Sequence, residues 1–164
     1  MKSVLFVCTA NRCRSPMAAA LLKDRVARRG QSDEWAIASA GTWAAPNLPA
    51  TLLAQAEMTR RGLDLTAHRT RVVTADMLKA ASLVLVMTRS HRESLCVEFP
   101  ESAHKVMLLS ELIGQSFDVE DPVLGAARDY EQCAEEIDQI MEKGFEKMAA
   151  LADGRDKRRM LNEE

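Results

Sequence analysis

The sequence predicts an α/β fold: a three-layer sandwich in which a four-stranded parallel sheet is flanked by helices on both faces. Three observations lead there. Val4-Leu5-Phe6-Val7 and Leu83-Val84-Leu85-Val86-Met87 are unbroken apolar runs, the pattern of strands buried on both faces. Stretches with helical spacing separate the strand candidates, so neighbouring strands must be joined by crossovers and run parallel. At 164 residues and 47% hydrophobic content the chain can fill one core. Residues 1–152 are therefore expected to form a single domain. The charged stretch 153–164 has little to bury and is expected to fray as a tail.

In order, the first strand ends at Cys8 and a polar loop follows to Ser15-Pro16, which reads as a helix start with serine capping and proline at the first helical position. Met17 to Arg29 is helical, with Ala19, Leu22 and Val26 on one face and Gly30 as its stop. Trp35 to Ala40 is the second strand, leading into Gly41-Thr42-Trp43 and a proline-bearing loop to Pro49. Thr51 to Arg61 is a helix closed by Gly62, and Val72 to Ala80 a helical or irregular stretch before the Leu83–Met87 strand. A helix from Ser90 to Glu98 precedes the fourth strand, Val106 to Leu109. One long helix is expected from Ala126 to Leu151, with Cys133, Ile137, Ile140, Met141 and Phe145 at helical spacing.

Composition excludes several classes. A formal net charge of −2 lacks the basic excess of a general nucleic-acid binder. The four cysteines show no Cys-x2-Cys pair with downstream histidines, so no zinc site is expected, and Cys96 and Cys133 read as buried thiols. No stretch approaches a membrane span or a signal-peptide core, and free thiols point to the cytoplasm. The nine methionines read as core filler.

The chemistry lies in the loop from Cys8 to Ser15. A strand–loop–helix junction aims backbone N–H groups and the positive end of a helix dipole at one spot, where an oxyanion binds. Thr9, Ala10, Asn11, Arg12 and Cys13 supply those amides. A thiol at a helix N-terminus beside an arginine is in the setting that stabilises thiolate, and Arg14 offers a planar fork for two phosphoryl oxygens. Nucleophile and clamp meet at one phosphorus. The second half of such a reaction needs a carboxyl group. Asp121, held extended by Pro122, is the candidate, with Asp118 and Glu120 weaker ones.

Cys-x5-Arg-Ser close to the N-terminus, Ser39-Ala40-Gly41-Thr42, the Gly62-to-Arg71 stretch and a distant Asp121-Pro122 together resemble the low-molecular-weight protein tyrosine phosphatase family, over roughly Lys2 to Leu151. The resemblance implies hydrolysis of phosphotyrosine on proteins or peptides through a phosphocysteine intermediate: Cys8 as nucleophile, Arg14 and the loop amides on phosphate, Asp121 as general acid and then base. It implies inorganic phosphate as product, no metal or cofactor, and a monomer. Asn11, Ser15, Ser39 and His68 match the hydrogen-bond network that supports the loop, Cys13 the second loop cysteine that can form a reversible disulfide with the nucleophile, and Trp43 an aromatic wall of the pocket.

Some residues depart from the pattern. Ala10 stands where the family usually has glycine, Arg12 occupies a rim position that is commonly aliphatic, and Val123-Leu124 replace flanking aromatics. Arg12 could face the substrate or lie across the surface against Asp118 or Glu120. These departures keep a protein arginine phosphatase open as an alternative. A thiol-dependent arsenate reductase is a second alternative, but its relay needs a resolving cysteine pair where this chain has only Cys96.

Overall fold

A computed structural model describes residues 1–154; the tail expected beyond them lies outside the described residues. Four parallel strands, β1 (Lys2–Cys8), β2 (Trp35–Gly41), β3 (Leu83–Val86) and β4 (Val106–Leu108), form one sheet in the order β2-β1-β3-β4. β1 is central because its Leu5 and Val7 side chains are as buried as its Val4, Phe6 and Cys8. The two sets face opposite ways, as the two-residue period of a strand requires. Val4, Phe6 and Cys8 join the larger core with Met17, Leu22, Ile137, Met141 and Met148, and Leu5 and Val7 join a smaller one with Leu78, Val84, Val86 and Leu95. The elements are thus layered helix, sheet, helix, as expected.

Among the described residues six α-helices surround the sheet: α1 (Arg14–Arg28), α2 (Leu52–Arg60), α3 (Ala75–Ala80), α4 (Arg89–Glu98), α5 (Ala127–Lys143) and α6 (Phe145–Ala152). Thr51 caps α2 by accepting from Ala54 N–H, and Thr74 caps α3 by accepting from Met77 N–H. Thr88 and His91 cap α4 reciprocally: the Thr88 hydroxyl accepts from His91 N–H at 3.2 Å and His91 Nδ1 accepts from Thr88 N–H at 3.1 Å.

Three sequence expectations are corrected. The single helix from Ala126 to Leu151 is two helices broken at Gly144. A Cβ at Gly144 would sit 2.6 Å from Leu112 Cβ, so the close approach of the Leu109–Ile113 turn selects glycine and bends the chain there. Ser15 does not cap α1. That helix begins one residue earlier, Cys13 is its N-cap, and no side chain caps it. Cys96 is half-buried on α4, whereas Cys133 is buried as expected. Among the described residues no helix is long and apolar enough to cross a membrane.

Candidate active site

β1 ends at Cys8 and α1 begins at Arg14, so the loop between them is held by the sheet on one side and a helix N-terminus on the other. Ala10 is exposed and its backbone is not left-handed; the residue at positive φ is Asn11, at 58°. Asparagine tolerates that conformation, and so the methyl group of Ala10 meets no backbone conflict.

Asn11 is fully buried and makes the loop's internal scaffold. Its Nδ2 donates to Ser15 Oγ at 2.8 Å and to Ser39 Oγ at 3.0 Å, and its Oδ1 accepts from Arg71 N–H at 3.1 Å. His68 Nε2 lies 2.7 Å from the Asn11 carbonyl. A carbonyl can only accept, so Nε2 carries the proton. Burial lowers the pKa of His68, which keeps it neutral in that role. Ser15 Oγ, with one lone pair taken by Asn11, lies 3.0 Å from Cys8 Sγ and can donate to it. The serine expected to cap the helix is turned inward onto the sulfur.

Ser39, Ala40 and Gly41 end β2 against this scaffold. Thr42 N–H donates to the Cys8 carbonyl at 2.9 Å and Trp43 N–H to the Thr9 carbonyl at 3.0 Å. A Cβ at Gly41 would lie 2.4 Å from the Thr9 carbonyl oxygen, so only glycine lets the two backbones approach this closely. The Trp43 side chain is 85% exposed beside the loop.

Arg14 is 4% exposed. Its Nη1 donates to the Val119 carbonyl at 3.0 Å, and its Nη2 makes two long contacts of 3.4 Å, to Thr9 Oγ1 and to Asp121 Oδ2. Nε is buried with no hydrogen-bond partner among the described residues. With Nη1 anchored, the Nε and Nη2 edge is the fork left to face an oxyanion. A dry, unpartnered donor strongly favours an acceptor there. Asp121 is partly exposed at the opposite lip, and its Oδ1 accepts from Val123 N–H at 3.1 Å. Asp118 is engaged elsewhere, accepting from Arg89 N–H at 2.9 Å. Cys8, Asn11, Ser15, Ser39 and His68 are thus linked through one hydrogen-bond network, and Arg14 touches both Thr9 of the same loop and Asp121.

Arg12 takes neither of its two expected courses fully. Its Nε donates to the Pro49 carbonyl at 3.0 Å, which tethers the side chain along the 46–51 loop rather than toward Asp118 or Glu120. Cys13 Sγ lies 3.4 Å from Tyr130 Oη and 3.5 Å from Thr51 Oγ1, and burial raises its pKa. Burial also pushes the Tyr130 phenol up to about 12. Both groups stay protonated, and Cys8 and Cys13 are free cysteines.

Sequence reasoning missed His91. It is 5% exposed, and its Nε2 lies 2.8 Å from Thr9 Oγ1 although 82 residues separate the two. The only local signal was Thr88-Arg89-Ser90-His91, a threonine three residues before a hydrogen-bonding side chain at a helix start. Burial, reinforced by Arg14, pulls the pKa of His91 down to about 4. Unfolded imidazoles titrate near about 6.5. Below that pH the unfolded chain takes up a proton that the folded chain refuses, so stability falls as pH drops from about 6.5 to about 4 and His91 adds nothing further below that. The loss is on the order of 3 kcal/mol for His91, and His68 acts in the same direction. Urea midpoints measured from pH 7 to pH 4 should fall accordingly, and His91→Gln should flatten the fall; a flat wild-type profile would contradict it.

Comparison with known proteins adds four matches. The family model described as low molecular weight phosphotyrosine protein phosphatase matches residues 3–153. A protein-arginine-phosphatase of Bacillus subtilis (strain 168) is 35% identical over 139 residues, 84% of this chain and 91% of its own. Among solved structures, a low molecular weight protein tyrosine phosphatase from T. tengcongensis superposes with a TM-score of 0.84 at 38% identity, covering 90% of this chain and 99% of its own. YwlE arginine phosphatase, solved as a mutant with a phosphorylated active-site serine, does so with a TM-score of 0.83 at 34% identity, covering 86% and 91%.

Proposed function

The chain belongs to the low molecular weight phosphotyrosine protein phosphatase family, and from that premise we propose that it hydrolyses phosphotyrosine on proteins or peptides through a phosphocysteine at Cys8. The observation that carries this reading is the Arg14 side chain, anchored by Val119 through Nη1, touching Thr9 of the Cys8 loop through Nη2, and left with a buried Nε that has no partner among the described residues. In the first step the Cys8 thiolate attacks phosphorus, the Arg14 fork and the loop amides of Thr9 to Cys13 hold the equatorial oxygens, and Asp121 gives its proton to the leaving phenolate. In the second step Asp121 takes a proton from water, which attacks the phosphocysteine and releases inorganic phosphate. Ser15 donates to the departing thiolate, and Asn11, Ser39 and His68 keep the loop in shape. The phosphorylated serine in the related arginine phosphatase supports a covalent phosphoenzyme on this fold. We propose further that residues 1–152 act as one catalytic domain and work as a monomer in the cytoplasm.

Phosphotyrosine is preferred over phosphoarginine on electrostatic grounds. Arg12, tethered to the Pro49 carbonyl, adds a cation to the phosphate loop itself, a field that a neutral phenol ring tolerates better than a guanidinium. Trp43 offers the ring an apolar wall. The kinship with arginine phosphatases favours phosphoarginine as the second reading. Arg12 should also favour an acidic residue beside the phosphorylated one, but only on its own side. The opposite lip, a cleft of about 610 Å³ between the Asp121 loop and α5, carries Asp118, Glu120, Asp129 and Glu136 and repels acid there. The deciding experiment is a turnover panel of phosphotyrosine, phosphoarginine and phosphoserine peptides, plus arsenate with a thiol donor. Phosphotyrosine should be fastest; faster phosphoarginine turnover would move the assignment to that substrate.

Asp121→Ala should lower kcat by about 10²–10⁴-fold for phenolate leaving groups of high pKa, the usual worth of a positioned general acid. The loss should shrink as the leaving group becomes more acidic. If Asp118→Ala shows that dependence and Asp121→Ala does not, the acid is the wrong carboxylate.

A further inference from the structure

Thr9 Oγ1 touches both Arg14 and His91, a residue outside the loop. Arg14 Nη2 lies 3.4 Å from it and His91 Nε2 2.8 Å. The direction of each bond follows from what lies behind it. Thr88 N–H can only donate, and it points at His91 Nδ1 at 3.1 Å, so Nδ1 is the bare nitrogen and Nε2 carries the hydrogen. Nε2–H therefore donates to Thr9 Oγ1. Arg14 Nη2 can also only donate, so the same oxygen accepts from both, and the Thr9 hydroxyl hydrogen is turned away from Arg14.

We propose that His91 is a positioning residue for the phosphate clamp, fixing the Thr9 hydroxyl as an acceptor that holds Arg14 Nη2 at the loop. The inference rests on Arg14 being that clamp. Without His91 the hydroxyl rotor is free to turn its hydrogen toward Arg14, which sets two donors against each other. Nη2 is shared between Thr9 Oγ1 and Asp121 Oδ2 at 3.4 Å each. Losing the Thr9 side of that balance draws the fork toward Asp121, which misplaces the clamp and ties up the carboxyl group together. The cap of α4 thus doubles as the anchor of the catalytic arginine, because His91 uses one ring nitrogen for each.

His91→Gln separates the two jobs. A glutamine at this position of the helix can still accept from Thr88 N–H as in a capping box, but its amide cannot also span to Thr9. Steady-state kinetics with an aryl phosphate should show kcat lowered about 10–100-fold, the worth of one hydrogen bond to a charged group, with a smaller change in KM. Thr9→Val should lose a similar factor, and the double variant should be no worse than the poorer single, as for two residues acting through one bond. Thr9→Ser keeps the oxygen and should retain most of the rate, a rescue that a packing role would not give. The thermal midpoint of His91→Gln checks that the cap survives. If that variant does not fold, the contrast between Thr9→Val and Thr9→Ser still decides. Near-wild-type kcat in Thr9→Val, equal loss in Thr9→Ser, or additive losses in the double variant would overturn the proposal. Arg14→Lys, assayed in parallel, separates the failures: an inactive Arg14→Lys with unimpaired Thr9→Val removes only the role of His91, whereas an active Arg14→Lys removes the clamp itself.

Discussion

Cys8→Ser should leave a folded protein whose phosphatase turnover is lower by roughly 10⁶-fold, the scale on which enzymes of covalent mechanism lose rate with their nucleophile. The fold should survive because serine is smaller than cysteine and a hydroxyl partner is already in place: Ser15 Oγ lies 3.0 Å from the sulfur. The rate should not survive. Ser15 can donate to an anion at that atom, but a hydroxyl ionises far less readily than a thiol, and among the described residues the neighbouring bases are engaged elsewhere. Asp121 sits against Arg14 on the other lip, and His68 is occupied with the Asn11 carbonyl. Circular dichroism and thermal midpoints would check the fold, and aryl phosphate turnover the chemistry. Residual turnover within about 100-fold of wild type, where loss of a single auxiliary donor would leave it, would remove Cys8 as the nucleophile.

The sheet and most of the site were legible in the sequence because they depend on local pattern. The double-sided apolar runs of β1 and β3, the spacing from Cys8 to Arg14 and the turn at Asp121-Pro122 each announce themselves within a few residues. What was misread depends on contacts made across the chain. Ser15 followed by Pro16 has the chemistry of a helix cap, but Asn11 and Cys8 take its hydroxyl for the loop. Apolar spacing runs unbroken past Gly144, and only the packing of Leu112 against that glycine reveals the break between α5 and α6. Ala10, which stands where the family usually has glycine, needs no special backbone, since Asn11 takes the left-handed position. His91 was invisible for the same reason: nothing within its own helix points to Thr9. The tether of Arg12 to Pro49 was equally illegible, because it comes from a loop whose path no local pattern specifies.

Arg14→Lys should lower kcat by about 10²–10³-fold or more, the cost of losing a preorganised donor aimed at transition-state charge. Charge is conserved in this substitution, so the size of the loss measures geometry. Arg14 spends Nη1 on the Val119 carbonyl and keeps Nε and Nη2 as a rigid pair toward the loop. An ammonium has no such division of labour. If it reaches Val119 it leaves the phosphoryl oxygens, and if it turns to them it gives up the anchor. It also brings a strongly hydrated charge into a position that is 4% exposed, so some of the loss should appear as lower stability as well as lower rate. Product inhibition separates the two contributions. Inorganic phosphate should bind the Lys variant more weakly than wild type, since two parallel hydrogen bonds become one, and the fall in kcat should exceed the fall in phosphate affinity because charge on the equatorial oxygens matters most in the transition state. Equal losses in both would mean that Arg14 binds ground state and transition state alike. A Lys variant with near-wild-type kcat would leave the phosphate to the loop amides alone.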